Sequence, residues 1–302
     1  MGLNLDQEAL DQKNNEGELP IHCIMPGISR FLSVMASDWY CVTLFQKMAL
    51  MDLKLLEVKS LNGEYPIHRI CAFALPCKFH LKLLESVLNQ NRAPLWLRDS
   101  KGELPLDTAL VFHNFYLLDL FVKQDETLIK QIPDDFRTTV SIMMRCPEIF
   151  KKMTNKDKEI LYDSDEEGNL PIHLVTDLDL LKWMAEQDHN LLLIRNDVGN
   201  FPIHHAAEEG LLPLVKWSIG VCPALLEAHG KNGNRLMHFA AKSLNYGCVK
   251  WIYDQAPSML HQENFDKETP LQYALRVNLI ESKKKNKFLK KVKKLEVQNG
   301  RL

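Results

Sequence analysis

The chain has 302 residues, 46% hydrophobic, 25% charged and 8% aromatic, with 13 Gly and 14 Pro, which suits a folded chain and excludes disorder, a collagen-like chain and a disulfide knot. Its net charge of −2, from 37 Lys and Arg against 39 Asp and Glu, argues against nucleic acid or anionic membrane as a partner of the chain as a whole. That balance is an average, because positions 276–302 hold ten Lys or Arg against two Glu, leaving 27 basic and 37 acidic residues over 1–275. The exclusion therefore applies to an acidic body, and a basic tail keeps anionic partners open.

No run of about 18 apolar residues marks a spanning helix. Met1 to Asp11 is polar and acidic, unlike a signal peptide, so a cytoplasmic location is expected. Seven cysteines (Cys23, Cys41, Cys71, Cys77, Cys146, Cys222 and Cys248) are scattered without a framework, as in reducing compartments. Gly2 invites myristoylation, but Asp6 stands where Ser or Thr is wanted, and that reading is rejected.

Along the chain a pattern recurs: Gly, then Pro three residues later, then Ile-His. Full copies are Gly17-Glu-Leu-Pro20-Ile-His22, Gly63-Glu-Tyr-Pro66-Ile-His68, Gly168-Asn-Leu-Pro171-Ile-His173 and Gly199-Asn-Phe-Pro202-Ile-His204. Weaker ones are Gly102-Glu-Leu-Pro105-Leu-Asp107, Gly233-Asn-Arg-Leu236-Met-His238 and Lys267-Glu-Thr-Pro270-Leu-Gln272, with a degenerate copy at Phe136-Arg-Thr-Thr139-Val-Ser141. The Pro slot falls at 20, 66, 105, 139, 171, 202, 236 and 270. A second marker keeps the same phase: Leu181-Lys-Trp183, Val215-Lys-Trp217 and Val249-Lys-Trp251 lie 34 residues apart. Units are thus drawn near 14–59, 60–98, 99–132, 133–164, 165–195, 196–229, 230–263 and 264–280, followed by a basic amphipathic tail at 281–302. The first and last units are read as modified caps.

Within a unit, an Asp/Asn-x-x-Gly turn supplies the positive φ that a tight hairpin needs. Pro opens a first helix, where its missing N–H costs nothing. His204 to Glu209 and Leu212 to Ile219 then read as two short antiparallel helices broken at Gly210 and Pro213. Neither can bury its apolar face alone, so neighbouring units must stack. The unit at 165–195 lacks three residues in its first helix. The first unit carries about 13 extra around Ser33 to Met51 relative to a 33-residue repeat.

These residues resemble the ankyrin repeat, with a hairpin turn, two helices and a Thr-Pro-Leu-His signature. The run Gly199-Asn-Phe-Pro-Ile-His-His-Ala-Ala-Glu-Glu-Gly210 matches it best, and the resemblance covers about 14–280. It implies an all-α solenoid of eight units whose slot histidines (His22, His68, His173, His204 and His238) are structural and bond backbone between units. Only Thr269 keeps the signature Thr; Leu19, Tyr65, Leu104, Leu170, Phe201 and Arg235 replace it, removing a side-chain cap worth about 1 kcal/mol.

His68, Cys71, Cys77 and His80 could on paper hold zinc, but His68 belongs to the helix start and Cys71 to an apolar stretch, so no metal and no cofactor are expected. No nucleophile elbow, phosphate loop, dinucleotide fingerprint or His-Glu-x-x-His is present, and a non-catalytic protein is expected. The enzyme alternative places a site in the insertion around Trp39, Tyr40 and Cys41.

The turn tips are not needed for stacking, and they carry mostly acid: Glu16 and Glu18; Glu64; Asp99, Lys101 and Glu103; Asp134 and Asp135; Asp163, Asp165, Glu166 and Glu167; Asp197; Lys231; Asp266 and Lys267. Turns are polar simply by being solvated, but as a row these residues suit a protein partner with a basic or amide-rich surface. Phe201, Tyr65 and Arg235 join them only if they escape the hairpin core, and Trp183, Trp217 and Trp251 are assigned to second-helix packing. In the tail, Lys283, Lys284, Lys285, Lys287, Lys290, Lys291, Lys293 and Lys294 interleave with Phe288, Leu289, Val292 and Leu295 at amphipathic-helix spacing. It reads either as a capping helix or as a contact for anionic membrane, nuclear import machinery or nucleic acid. Sparse aromatics count against sequence-specific nucleic acid. The expected function is a non-catalytic protein-interaction scaffold that binds its partner on the concave face, in a groove formed by the acidic turn tips and the inner helices; the resemblance also extends to ankyrin effectors that intracellular bacteria deliver into host cells.

Overall fold

The computed structural model describes residues 10–14, 18–23, 47–72, 78–133, 135–277 and 283–298. These residues are helical and include no strand; one isolated antiparallel bridge joins His229 and Arg235. None of their helices is long and apolar enough to cross a membrane. The chain forms two compact units, Met1–Asp134 and Asp135–Leu302.

The first unit contains α1 (Pro20–Cys23), α2 (Pro66–Ala72), α3 (Lys78–Leu88), α4 (Pro105–Val111) and α5 (Phe115–Gln124). Here α1 packs on α2, α2 on α4, and α3 on α5, so first helices meet first helices and second helices meet second helices.

The second unit repeats this arrangement with α6 (Phe136–Arg145), α7 (Pro147–Lys156), α8 (Pro171–Leu174), α9 (Leu178–Gln187), α10 (Pro202–Glu208), α11 (Leu212–Val221), α12 (Leu236–Lys242), α13 (Tyr246–Gln255), α14 (Pro270–Val277) and α15 (Lys283–Gln298). One layer runs α6, α8, α10, α12, α14, and the other α9, α11, α13, α15. Proline opens α7, α8, α10 and α14, where its fixed φ suits the first turn. Ala207, Ala240 and Ala241 are fully buried, small enough for neighbouring first helices to approach closely.

The three-residue deletion predicted at 165–195 is visible, since α8 has four residues where α10 and α12 have seven. The shortfall sits beside an apolar cleft of about 120 Å³ lined by Met143, Met144, Pro147, Val175, Thr176, Asp177 and Leu180. Asp135, expected at a turn tip, serves instead at a helix start. Residues 126–131 form a 3-10 turn, and only four residues later Asp135 caps α6 by accepting the Thr138 N–H at 2.9 Å.

The sequence pattern also passed over a recurring element. Among the described residues, α5, α7, α9, α11 and α13 each run into a 3-10 turn that buries apolar side chains, as with Leu128 and Ile129, Leu191 and Leu192, or Met259 and Leu260. These turns are opened either by an aspartate accepting the N–H two residues on, as Asp125, Asp157 and Asp188 do, or by proline, as at Pro223 and Pro257. Both devices answer the same problem of orphan N–H groups.

Candidate functional site: the turn tips and the last helix

Each hairpin turn is closed by its own first residue. In the turn at 196–200, Asn196 N–H donates to Asn200 O at 2.9 Å, Gly199 N–H donates to Asn196 O at 2.9 Å, and Asn196 Oδ1 accepts the Asn200 N–H at 2.8 Å. Asp99, Asp165 and Asn264 do the same in their turns. The fourth position has positive φ, as at Gly199 (90°) and Gly168 (72°). At Gly168 a Cβ would also collide with Asp197, 2.6 Å away.

The turns are tied to one another by backbone. Ser100 N–H donates to Gly63 O at 3.1 Å in the first unit; in the second, Asp197 N–H donates to Glu167 O at 3.0 Å and Phe265 N–H to Asn232 O at 3.0 Å. Asparagine pairs add to this, Asn196 to Asn169 at 2.7 Å and Asn264 to Asn234 at 2.8 Å.

The slot histidines fix the turns to the first helices. In the second unit Nδ1 of His173, His204 and His238 accepts the N–H of Leu170, Phe201 and Arg235 at 3.1, 3.1 and 3.2 Å. The proton must then sit on Nε2, which donates to the carbonyls of Asn200 and Glu268 in the following turn and of Ala228 just before it. Burial pushes His173 down to about 4, with neighbouring His205 adding to the effect, and pushes His204 down to about 3. In the first unit Nε2 of His22 and His68 contacts Val58 O at 2.8 Å and Glu103 O at 3.0 Å. Where the slot lacks histidine, Asp107 and Gln272 accept the same N–H, from Leu104 and Thr269.

These bonds sort the acidic row. Asp99 is buried and accepts the N–H groups of Lys101 and Glu103. Asp165 accepts those of Glu167 and Asn169 and the Asn169 amide. Burial pushes its carboxyl up, but the Asn169 and Glu167 donors outweigh this and hold it below the ordinary value. Glu18 pairs with Arg69 at 2.6 Å, and Glu64 lies 3.5 Å from the same guanidinium. Glu103 is half-buried, and Asp163 is half-buried beside the turn at 165–169. Lys101, Glu166, Glu167, Asp197, Lys231, Asp266 and Lys267 are exposed. Glu16 and Asp134 lie outside the described residues, as do Trp39, Tyr40 and Cys41 of the insertion, Cys77, and the His80 side chain.

Two tip residues carry a chemistry the sequence pattern did not single out. Leu61 and Phe265 occupy the second turn position and are 69% and 73% exposed. The signal was available, since apolar residues at a turn tip break the polar pattern of a loop. Tyr65, Phe201 and Arg235 are half-buried and engaged locally: Lys59 lies over Tyr65, Arg195 lies 4.1 Å over Phe201, and Arg235 bonds Glu227. Trp183, Trp217 and Trp251 are half-buried on second helices, with Trp183 edge-on to Phe150. Among the described residues no three His, Cys, Asp or Glu side chains gather where a metal could bind.

The tail helix α15 packs on α13 and buries Phe288, Val292 and Leu295. Lys287, Lys290, Lys291, Lys293 and Lys294 are exposed; the side chains of Lys283, Lys284 and Lys285 lie outside the described residues. No protein-family model and no curated protein matches the chain.

Proposed function

We propose that the chain is an ankyrin-type repeat solenoid that acts as a non-catalytic scaffold, recognising a protein partner through its turn tips. The observation that carries this reading is the division of labour within a turn. Backbone groups, and the first side chain where there is one, are consumed in holding the row, while several second- and third-position side chains make no bond within it. In the second unit those free positions include Glu166, Asp197, Lys231, Phe265 and Asp266. A rigid tip loses little entropy on binding, so its side chains convert more of their contact energy into affinity. Phe265 supplies an apolar anchor of the kind that dominates interfaces, and the carboxylates orient a basic or amide-rich partner.

The test is affinity capture with the full chain. The comparison variant combines Phe265→Ala with Glu166→Lys and Asp197→Lys, exposed positions whose side chains make no bond in closing a turn. The reading expects a protein held by the unaltered chain and lost by the variant. Equal capture by both would defeat it.

A further inference from the structure

We propose that α15 holds the second unit against an anionic phospholipid surface through Lys287, Lys290, Lys293 and Lys294. The inference stands on three observations independent of the turn tips.

First, the apolar side of α15 is used by the fold. Phe288, Val292 and Leu295 are 3%, 0% and 4% exposed, and Lys291 is drawn over the Tyr246 ring of α13 at 4.9 Å. The helix is therefore preformed and docked, presenting cationic charge along about 10 Å of its axis rather than an amphipathic blade.

Second, these ammonium groups have no carboxylate partner among the described residues, whereas several lysines on other helices do. Lys123 meets Asp119, Lys151 meets Glu148, and Lys250 meets Asp254, at 2.6 to 2.9 Å. Among the described residues no carboxylate lies within ion-pair distance of Lys287, Lys290, Lys291, Lys293 or Lys294. Like charges at i, i+3 and i+4 spacing (Lys287, Lys290, Lys291, Lys294) repel and destabilise a helix, and an external polyanion offsets that repulsion.

Third, the patch lacks what other anionic partners need. Single-stranded nucleic acid is gripped by exposed rings, whereas the one ring on α15, Phe288, is buried. Duplex backbone and phosphopeptides favour the bidentate fork of arginine, and α15 contains none. A protein surface would want an apolar anchor at the centre of the patch. A lipid surface needs only summed charge, each lysine strengthening binding about fivefold, and Tyr246 at the rim is a residue type favoured at such interfaces.

The experiment is flotation of the full chain with phosphatidylcholine vesicles, with and without phosphatidylserine, at low and high salt. The expected result is partition onto the phosphatidylserine vesicles alone, lost at high salt. Changing Lys287, Lys290, Lys293 and Lys294 to Gln should lower the partition coefficient at least about a hundredfold, while changing the same four to Arg should preserve it. The Arg variant and the salt series stand even if the Gln variant misfolds, which circular dichroism would reveal. The single tip change Phe265→Ala, which leaves the charge unaltered, should float like the unaltered chain, separating this inference from the scaffold reading. Equal binding to both vesicle types, salt-insensitive binding, or tighter binding to a DNA duplex or polyglutamate at the same salt would overturn the proposal.

Discussion

His204 and Phe239 lie nearly face to face, ring centroids 4.7 Å apart and planes 18° from parallel. The same relation recurs on either side: His205 stands edge-on to His173, and Tyr273 edge-on to His238, each at 6.0 Å. The residue after one slot position, whether that position holds histidine or Gln272, thus covers the slot histidine of the preceding first helix. His204→Ala would strand the Phe201 N–H and the Ala228 carbonyl beneath that lid, and open a cavity. A loss of about 3–5 kcal/mol is expected for the second unit. His204→Gln should recover at least about 1 kcal/mol, because Gln272 already accepts the equivalent N–H from Thr269 at 2.8 Å. Urea unfolding followed by fluorescence checks this, since Trp183, Trp217 and Trp251 all report on the second unit. Equal losses for Ala and Gln would mean that only volume matters.

The same burial makes the second unit acid-sensitive in a defined window. His173 and His204 titrate near 4 and near 3 in the folded chain against about 6.5 unfolded. Between those values the unfolded chain binds more protons, so stability is fully present above about pH 6.5 and falls as pH drops toward 4. The slope reaches about 1.4 kcal/mol per pH unit for each histidine. Asp135 and Asp165, held below their ordinary value, contribute their loss at lower pH still. Urea midpoints taken from pH 7.5 down to pH 4.5 should show this decline, and the double substitution His173→Gln, His204→Gln should flatten it. A pH-independent midpoint in the unaltered chain would contradict the argument.

The helix pairs were legible because Pro-Ile-His states two backbone needs at once, a fixed φ at the first helical residue and a buried hydrogen-bonding ring two residues on. The 3-10 turns were not, because Asp188 and Pro223 meet one need by unlike chemistry and leave no periodic letter. Asp135 misled for a related reason: aspartate serves equally to tip a hairpin or, as here, to cap a helix. Within the acidic row, sequence could not separate Asp165, consumed by its own turn, from Glu166 beside it.

Lys267 offers a direct test of turn geometry. It holds φ 60° where the equivalent residues are Gly63, Gly102, Gly168, Gly199 and Gly233. A side chain in that region costs about 1–2 kcal/mol, partly offset because glycine loosens the unfolded chain. Lys267→Gly should therefore stabilise the second unit by about 0.5–1 kcal/mol. Thermal unfolding would show the gain as a higher Tm, and a lower Tm would mean that the Lys267 side chain contributes more than its backbone strain removes.

Asp165 and Glu166 are adjacent, equally acidic and physically opposite. The Asp165 carboxylate accepts from Glu167 N at 2.9 Å, Asn169 N at 2.8 Å and Asn169 Nδ2 at 2.9 Å, and Asn169 in turn accepts from Asn196 at 2.7 Å. Asp165→Ala would release this cluster and cost about 1–3 kcal/mol. Asp165→Asn, which keeps one acceptor oxygen as Asn196 and Asn264 do in their own turns, should lose less than half of that. Glu166→Ala, at an exposed position, should change stability by less than about 0.5 kcal/mol. Partner binding should move the other way: Glu166→Lys slows association at low salt with the fold intact, whereas Asp165→Asn leaves the on-rate unchanged. Stopped-flow association together with urea unfolding of all four variants reads both quantities, and a slower on-rate in Asp165→Asn would place that carboxylate back among the contacts.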